Sequence, residues 1–248
     1  SDKLHAGLLP AGFSAEHLGN NDYYYWDDFW SVGGLHSAAA MCGAWDDHEN
    51  SEAFRQEARD FMECIEESLE RSQHIRNHAG MSASPYRRMD SGAIGSVAVG
   101  YPLQLWNPED RRLLKTVDYL LEHSTVKDMF FQDMIHSGLN AYLTLHMAQV
   151  LMRAGDERFF PLVQAVANAA SPTGQWPEAV HPRTGGGCMG DGQHIWAVAE
   201  WILMIRNMFV REEYDSLVLC GGIPQEWCKP GEKMSFGPTP TPWGPVTV

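Results

Sequence analysis

SGAIGSVAVGYPLQLW (91–106) and IWAVAEWILMIRNMF (195–209) have little polar face on any side. A helix of that composition is buried on most of its sides. By contrast, EAFRQEARDFMECIEESLERS (52–72) combines an apolar stripe with a charged face, which is typical of a helix solvated along one side. Alternation of buried and amphipathic helices is what a two-layer helical barrel gives, with an inner and an outer ring.

Helical periodicity recurs along most of the chain. It predicts about seven helices, over residues 31–45, 50–77, 91–106, 109–123, 134–154, 157–170 and 191–210. The predicted fold over residues 1–210 is therefore mainly α, a two-layer barrel of helices. The remaining residues, 211–248, are broken by Gly and Pro. They hold the β-prone runs LVLC (217–220) and PVTV (245–248), which predict a β-rich appendage cut off by the end of the chain.

Composition limits the class of protein. The 248 residues are 44% hydrophobic, and the net charge is −14 with the 11 histidines neutral. An acidic surface repels nucleic acid and anionic membranes, and no uninterrupted apolar stretch approaches ~18 residues. We therefore expect a soluble enzyme acting on a neutral substrate, with no nucleic-acid or membrane partner.

The five cysteines are scattered, with no C-x-x-C spacing. This arrangement predicts free thiols in a reducing compartment and favours a cytoplasmic location, with secretion left open. His136 and His194 are the candidates for a metal pair, but no ligand spacing supports one. No metal and no cofactor is expected.

The first candidate site segment is NNDYYYWDDFW (20–30), in which aromatic residues surround Asp27. An aromatic wall desolvates a carboxyl group and raises its pKa, as a general acid at neutral pH requires. Tyr25 and Trp26 would then contact the substrate. The alternative is that these aromatics fill the core and that Asp27 or Asp28 caps the next helix.

The second segment is SPTGQWPEAVHPRTGGGCMGDGQH (171–194), which places Glu178 on a loop stiffened by Pro177 and Pro182. Catalytic groups are often carried on irregular loops of this sort. The GGG run lacks the pattern of a phosphate loop. The alternative is that Glu178 is an ordinary solvated loop residue.

A third set of polar residues stands just before two predicted buried helices, in ASPYRRMDSGAIG (83–95) and FFQDMIHSGLN (130–140). Its candidates are Arg87, Asp90, Gln132 and Asp133, although an Arg–Asp pair can be purely structural. No G-x-S-x-G elbow is present, so paired carboxylates are the better hypothesis for hydrolysis.

Two of these segments resemble those of a known clan. The WD of YYYWDDFW resembles the motif that carries the general acid in trehalases, related α-glucosidases and glucoamylase-like enzymes. GQWPEAVHPRTGGG…GDGQHIWAVAEWI is similar to the base loop and final barrel helix of that clan and of α-rhamnosidases. The resemblance implies an (α/α)6 toroid, or the larger part of one, as a catalytic domain over 1–210. It also implies that Asp27 is the general acid and Glu178 the general base. The seven predicted helices match the sixth to twelfth helices of such a barrel.

The implied mechanism is single displacement on a carbohydrate, which requires the carboxyls to stand about 6.5–9.5 Å apart. The implied sugar subsite comprises Tyr25, Trp26, Arg87, Asp90, Gln132, Asp133, Trp176 and His194. Asp28 leaves the acid ambiguous by one residue, and WPEAVHP does not fix the sugar. Because the first helices of the toroid are missing, we also expect either self-association or an N-terminal segment absent from this chain.

Two other hypotheses remain. One is a sugar epimerase or isomerase on the same toroid, using His136, His181 or His194 for proton transfer. The other is a non-catalytic carbohydrate-binding fragment.

Overall fold

A computed structural model describes residues 3–14, 20–76, 78–133 and 137–248. Its internal contacts divide the chain into two compact units. Unit 1 comprises Ser1–Thr125 and Phe131–Ser137, and unit 2 comprises Val126–Phe130 and Gly138–Val248. Both units are built mainly from helices, as predicted.

Unit 1 opens with a helical hairpin formed by α1 (Tyr25–Ala44) and α2 (His48–Arg76). The turn is closed by Asp47, whose Oδ1 accepts the N–H of Asn50 at 3.2 Å. α2 buries a narrow stripe that includes Ile65 and Leu69, and its other side is charged. This agrees with the amphipathic pattern of 52–72, because one apolar stripe is enough to dock a helix on its neighbour.

The N-terminal segment lies against α1. The N–H of Leu9 donates to Oδ1 of Asp28 at 3.1 Å. Gly12 and Asp22 exchange two backbone hydrogen bonds of 3.0 Å, which form an antiparallel bridge. Leu9 is therefore attached to the first turn of α1, and Gly12 to the segment just before that helix.

The rest of unit 1 contains a 3₁₀ helix (Ser91–Val99) and α3 (Arg111–His123). Every residue of the 3₁₀ helix is buried, as the apolar composition predicts. The predicted extent of 91–106 is too long, however, because the helix ends at Val99. α3 is capped by Asp110, whose carboxylate accepts the N–H groups of Arg112 and Leu113.

Short strands precede α4. The periodicity predicts that this helix begins at residue 134, but it begins only at Ala141. The strands are β1 (Thr125–Val126), β2 (Met129–Gln132) and β3 (Gly138–Leu139), in a sheet of order β1-β2-β3-β4-β5 with β4 (Ala179–Val180) and β5 (Gly187–Met189). Residues 134–136 lie outside the described residues. α4 (Ala141–Arg153) begins after this point because the side chain of Asn140 caps it, accepting the N–H of Leu143 at 3.0 Å.

Helix α4 is the core of unit 2, and all of its residues are buried. α5 (Phe159–Asn168) and α6 (Ile195–Phe209) pack against it. The prediction that 195–209 is buried on most sides is wrong for the described chain. Only one side of α6 is covered, and Ile195 and Ile202 are 81% and 61% exposed.

The tail has limited β structure. β6 (Val210–Glu213) and β7 (Ser216–Leu219) form an antiparallel hairpin, and β7 includes most of the predicted run LVLC. The run PVTV contributes a bridge between Thr239 and Val246. All five cysteines are free thiols. Within the described ranges, no helix combines the length and apolarity needed to cross a bilayer.

Candidate active site

Asp27 and Asp28 lie in the first turn of α1 and not in the loop before it. The helix begins at Tyr25, earlier than the predicted residue 31, and its N-cap Tyr24 is extended and makes no side-chain capping bond. Neither aspartate is therefore the cap that the alternative interpretation required. Carboxylates in the first turn interact favourably with the positive end of the helix dipole.

The carboxyl of Asp27 is half-buried. Burial raises its pKa above the ordinary value, and a weaker hydrogen bond with the side chain of Ser14 opposes that increase. Asp27 thus holds its proton to higher pH than a free aspartate while keeping part of its surface accessible. These are the two properties that a general acid needs.

The carboxyl of Asp28 is only 1% exposed. Burial raises its pKa to about 7; the hydrogen bond from Leu9 opposes this rise, and the charge of Asp27 adds to it. Its Oδ2 has no hydrogen-bond partner among the described residues. A side chain with so little surface cannot reach a ligand, so accessibility favours Asp27 over Asp28 as the acid.

The two aromatic candidates beside Asp27 are in different positions from those the sequence predicts. Tyr25 is fully buried, and its hydroxyl hydrogen-bonds with Oγ of Ser68 at 2.9 Å. Trp26 is 7% exposed and packs on Trp30 with ring centroids 5.5 Å apart. Tyr25 is therefore a core residue and not a sugar contact, which corrects the prediction made for it.

The structure brings several polar candidates together within unit 1. Arg87 forms an ion pair with Asp90 at 3.2 Å, and its Nη1 donates to the hydroxyl of Tyr24 at 3.4 Å. Asp133 accepts a hydrogen bond from the hydroxyl of Ser91. The segment before α1, the segment before the 3₁₀ helix and the end of β2 therefore meet, and we call Tyr24, Arg87, Asp90, Ser91 and Asp133 the polar cluster.

Some members of this region were missed by sequence reasoning. Tyr24 stands in the quoted aromatic segment, but nothing in the sequence distinguishes it from its neighbours. Burial raises the pKa of Tyr24, and the cationic Arg87 opposes that increase. Ser14 carries no sequence signal, since its relation to Asp27 depends on the path of the N-terminal segment. Gln132 is a predicted candidate, and it is 6% exposed.

In unit 2, Glu178 is half-buried and directly precedes β4. Gly190 lies against it with φ +77°, and a Cβ on Gly190 would stand 3.3 Å from both the Cβ and the backbone N of Glu178. Trp176 is buried, and its Nε1 donates to the carbonyl of Val166 at 2.8 Å. Trp176 therefore attaches the Glu178 loop to the unit, and its predicted role as a sugar contact is not supported by its position.

His194 caps α6, with Nδ1 placed to accept the N–H of Ala197 at 3.3 Å. Burial lowers its pKa, and the negative charges of Glu178 and Asp191 oppose that decrease. His194 is therefore a neutral side chain within electrostatic range of Glu178.

The other two histidines of the epimerase hypothesis gain no support. Nδ1 of His181 accepts the N–H groups of Arg183 and Thr184, each at 3.2 Å, which makes its ring part of a local turn. His136 lies outside the described residues. Among those that are described, no group of three or more His, Cys, Asp or Glu side chains could hold a metal ion.

The predicted residues thus form two groups, one in each unit. Unit 1 holds Asp27, Trp26 and the polar cluster, and unit 2 holds Glu178 and His194. The separation of the two carboxyls remains a prediction.

Comparison with known proteins gives information on the fold. The sequence matches no protein-family model and none of the curated proteins with which it was compared. Its fold is similar to that of a bacterial glucoamylase complexed with acarbose, with a TM-score of 0.58 and 15% identity over 81% of this chain. A wild-type glycosidase gives a TM-score of 0.62 at 17% identity over 78% of this chain. A glycosidase variant in complex with glucose gives 0.59 at 17% identity over 76%.

These similarities confirm the predicted fold class, a partial helical toroid with few short strands. The chain spans 35% of the glucoamylase and 54% and 52% of the two glycosidases. It therefore corresponds to between about a third and a half of each of those molecules.

Proposed function

We propose that the chain carries the catalytic carboxyls of an inverting glycoside hydrolase that acts on a neutral oligosaccharide or small glucoside. The observation that carries the proposal is Asp27, a half-buried carboxyl whose pKa is raised by burial and which stands beside the polar cluster. The similarity in fold to a glucoamylase and to glycosidases supports the same class of reaction.

In the proposed reaction Asp27 gives its proton to the glycosidic oxygen while the bond from that oxygen to the anomeric carbon breaks. Glu178 removes a proton from a water molecule, whose oxygen attacks the anomeric carbon from the opposite face. The products are a leaving-group alcohol and a sugar of inverted configuration. Asp27 ends deprotonated and Glu178 protonated, so one proton exchange with solvent restores both groups.

The remaining side chains take supporting roles in this proposal. Arg87, Asp90 and Asp133 would bind sugar hydroxyls, because charged and bidentate groups suit hydroxyl pairs. Trp26, Gln132 and His194 would line the sugar subsite. Tyr25 and Trp176 would hold the two carboxyl-bearing segments in place from the core.

The test is product release from maltose, trehalose and aryl glucosides by the wild type, Glu178→Gln and Asp27→Asn. We expect each variant to lose roughly 10²–10⁴-fold in kcat, the usual contribution of a positioned acid or base. The matched control is Glu157→Gln, which removes the charge of an exposed glutamate elsewhere in unit 2. Proton NMR of the first-formed anomer tests inversion directly.

Other outcomes have definite meanings. Hydrolysis that survives in Glu178→Gln, or product with retained configuration, would contradict the proposed roles. Sugar binding without hydrolysis by the wild type would favour the carbohydrate-binding hypothesis. Interconversion of free sugars without bond cleavage would favour the epimerase hypothesis.

The proposal extends to the organisation of the chain. We propose that residues 1–210 form the catalytic toroid segment and that 211–248 form the β-rich appendage. Because the chain spans only part of the similar structures, we also propose that it self-associates.

A further inference from the structure

Three aromatic rings form a cluster at the surface of unit 1, which we call the aromatic platform: the partly buried His5 and Tyr23 and the exposed Tyr86. His5 stacks on Tyr23 with ring centroids 4.1 Å apart and an interplanar angle of 8°. Nδ1 of His5 hydrogen-bonds with the hydroxyl of Tyr86 at 2.5 Å, and the two tyrosine rings are 6.0 Å apart. Tyr86 is 50% exposed, so the platform offers an open aromatic surface.

The backbone beneath the platform is fixed by hydrogen bonds. One carboxylate, that of Asp22, accepts the N–H of Tyr23 and the hydroxyl of Ser84, each at 2.8 Å. The N–H of Tyr86 donates to the same serine hydroxyl at 3.4 Å. Rings held in this way lose little freedom when a ligand covers them, which lowers the entropic cost of binding.

The platform adjoins the polar cluster. Tyr24 and Arg87 follow Tyr23 and Tyr86 in the chain, and these two neighbours are joined by their own hydrogen bond of 3.4 Å. Tyr24 also lies within electrostatic range of Asp27. The exposed rings therefore stand at the rim of the region that holds the proposed acid.

We propose that the aromatic platform binds the leaving-group sugar, so that the substrate is a di- or oligosaccharide with a second ring stacked on Tyr86. The inference rests on the proposed function. The general acid protonates the oxygen that joins the two rings, so the leaving group must lie on the acid's side of the bond. A rigid aromatic face suits the C–H face of a pyranose, and the adjacent polar cluster offers partners for its hydroxyls.

A purely structural role for the three rings does not account for the exposure of Tyr86. Attaching His5 to the body of unit 1 requires only that its own ring be covered, whereas half of the Tyr86 side chain stays open to solvent. The two roles also differ in what they predict for substrates of different size.

The experiment compares maltose with α-D-glucosyl fluoride, whose leaving group is a single atom and cannot reach the platform. We expect Tyr86→Ala to reduce kcat/KM for maltose by about 10-fold, mainly through KM, consistent with the loss of an aromatic stacking contact. The value for the fluoride should stay within about twofold, the spread expected when no contact is lost.

Two further variants keep the result interpretable. Tyr86→Phe retains the ring and loses only the hydrogen bond with His5, so it should retain most activity on maltose. Trp243→Ala removes a ring that is 55% exposed in unit 2 and should affect neither substrate. Thermal unfolding of each variant checks that it folds.

The proposal is overturned if Tyr86→Ala slows both substrates equally or neither, an outcome that leaves the hydrolase proposal standing. If the wild type cleaves neither substrate, the hydrolase proposal fails on these sugars. Saturation-transfer NMR with maltose then decides the platform separately. Saturation transfer to maltose that the wild type shows and Tyr86→Ala loses would support binding at the platform. No transfer in the wild type, or equal transfer in both proteins, would overturn it.

Discussion

Two adjacent aspartates have different environments because a helix turns by about 100° per residue. In the first turn of α1, Asp27 keeps accessible surface, whereas Asp28 points into the interior of unit 1. Burial therefore raises both pKa values, and the increase is large for Asp28. Only the first of them combines a raised pKa with access to a ligand.

We predict that Asp28→Asn stabilises the protein at and above neutral pH. The folded-state pKa of about 7 lies above that of an unfolded aspartate, so folding favours the protonated form. The penalty for the charged form is thus absent below about pH 4, grows as pH rises towards 7 and is complete above it. At pH 8 the substitution should gain up to about 4 kcal/mol in the free energy of unfolding.

Urea unfolding at pH 5 and pH 8 measures this effect. Asn at position 28 keeps an oxygen for the N–H of Leu9 and removes the charge, and its advantage should be much smaller at pH 5. The exposed Asp46→Asn is the control. A gain of equal size at both pH values would show that the ionisation of Asp28 does not affect stability.

Sequence reasoning at single residues succeeded or failed according to burial. Composition near Asp27 indicated a desolvated carboxyl, and the structure places one there. The same reasoning made Tyr25 and Trp176 sugar contacts, although both are core residues. A buried aromatic and a ligand-binding aromatic look alike in the sequence. Only the structure shows that Tyr25 hydrogen-bonds with Ser68 and Trp176 with the carbonyl of Val166 in the core.

At the scale of elements, the Glu178 loop depends on a glycine in the turn after it. Gly190 adopts φ +77°, which β-carbon-bearing residues rarely adopt, and it lies against the backbone of Glu178. The glycine-rich composition of 185–192 therefore reflects both conformation and close approach. Neither property can be assigned to a particular glycine from the sequence.

We predict that Gly190→Ala impairs the proposed base. The new methyl group must strain the turn and press on Glu178, and a displacement approaching 1 Å can cost about 10²-fold in activity. Gly192→Ala is the matched control, because Gly192 also has positive φ, at +91°, but nothing stands within 4 Å of its would-be Cβ.

Steady-state kinetics and thermal unfolding of both variants separate the two effects. Both should lose similar stability, and Gly190→Ala should additionally lose kcat. Equal kcat values in the two variants would show that contact with Glu178 does not matter for activity.

Element boundaries were harder to predict than the elements themselves. Periodicity located seven helical segments because long apolar stripes are strong signals. It began the first helix at 31 and the fifth at 134, whereas α1 and α4 begin at Tyr25 and Ala141. The aromatic run before residue 31 does not show a helical stripe. The two-residue strand Gly138–Leu139 is recognisable only through its pairing with neighbouring strands, such as that of Leu139 with Val180.

At the scale of the whole molecule, two helices expose apolar surface. Met41 in α1 and Trp45 at the C-cap of that helix are 54% and 73% exposed, and α6 exposes Ile195 and Ile202. Exposed apolar faces usually mark interfaces. The sequence indicated that α6 is apolar, but it could not show which face would remain uncovered.

We predict that the chain self-associates at micromolar concentration through these faces. Trp45→Ser combined with Ile202→Ser should shift the sedimentation coefficient towards that of a monomer of 27.8 kDa. Trp243→Ser, in the tail, is the control for loss of an exposed ring. A wild-type chain that sediments as a monomer at all concentrations would contradict this prediction.

The two attachments of the N-terminal segment have a consequence for length variation. Leu9 is bound to Asp28 and Gly12 to Asp22, so the spacing between Leu9 and Gly12 is set by two fixed points. Both attachments use the backbone of the N-terminal segment, so substitutions of the residues between Leu9 and Gly12 change them little, whereas an insertion or deletion puts one of them out of register. Homologous sequences that retain Asp28 should therefore vary in residue type across this interval but not in its length.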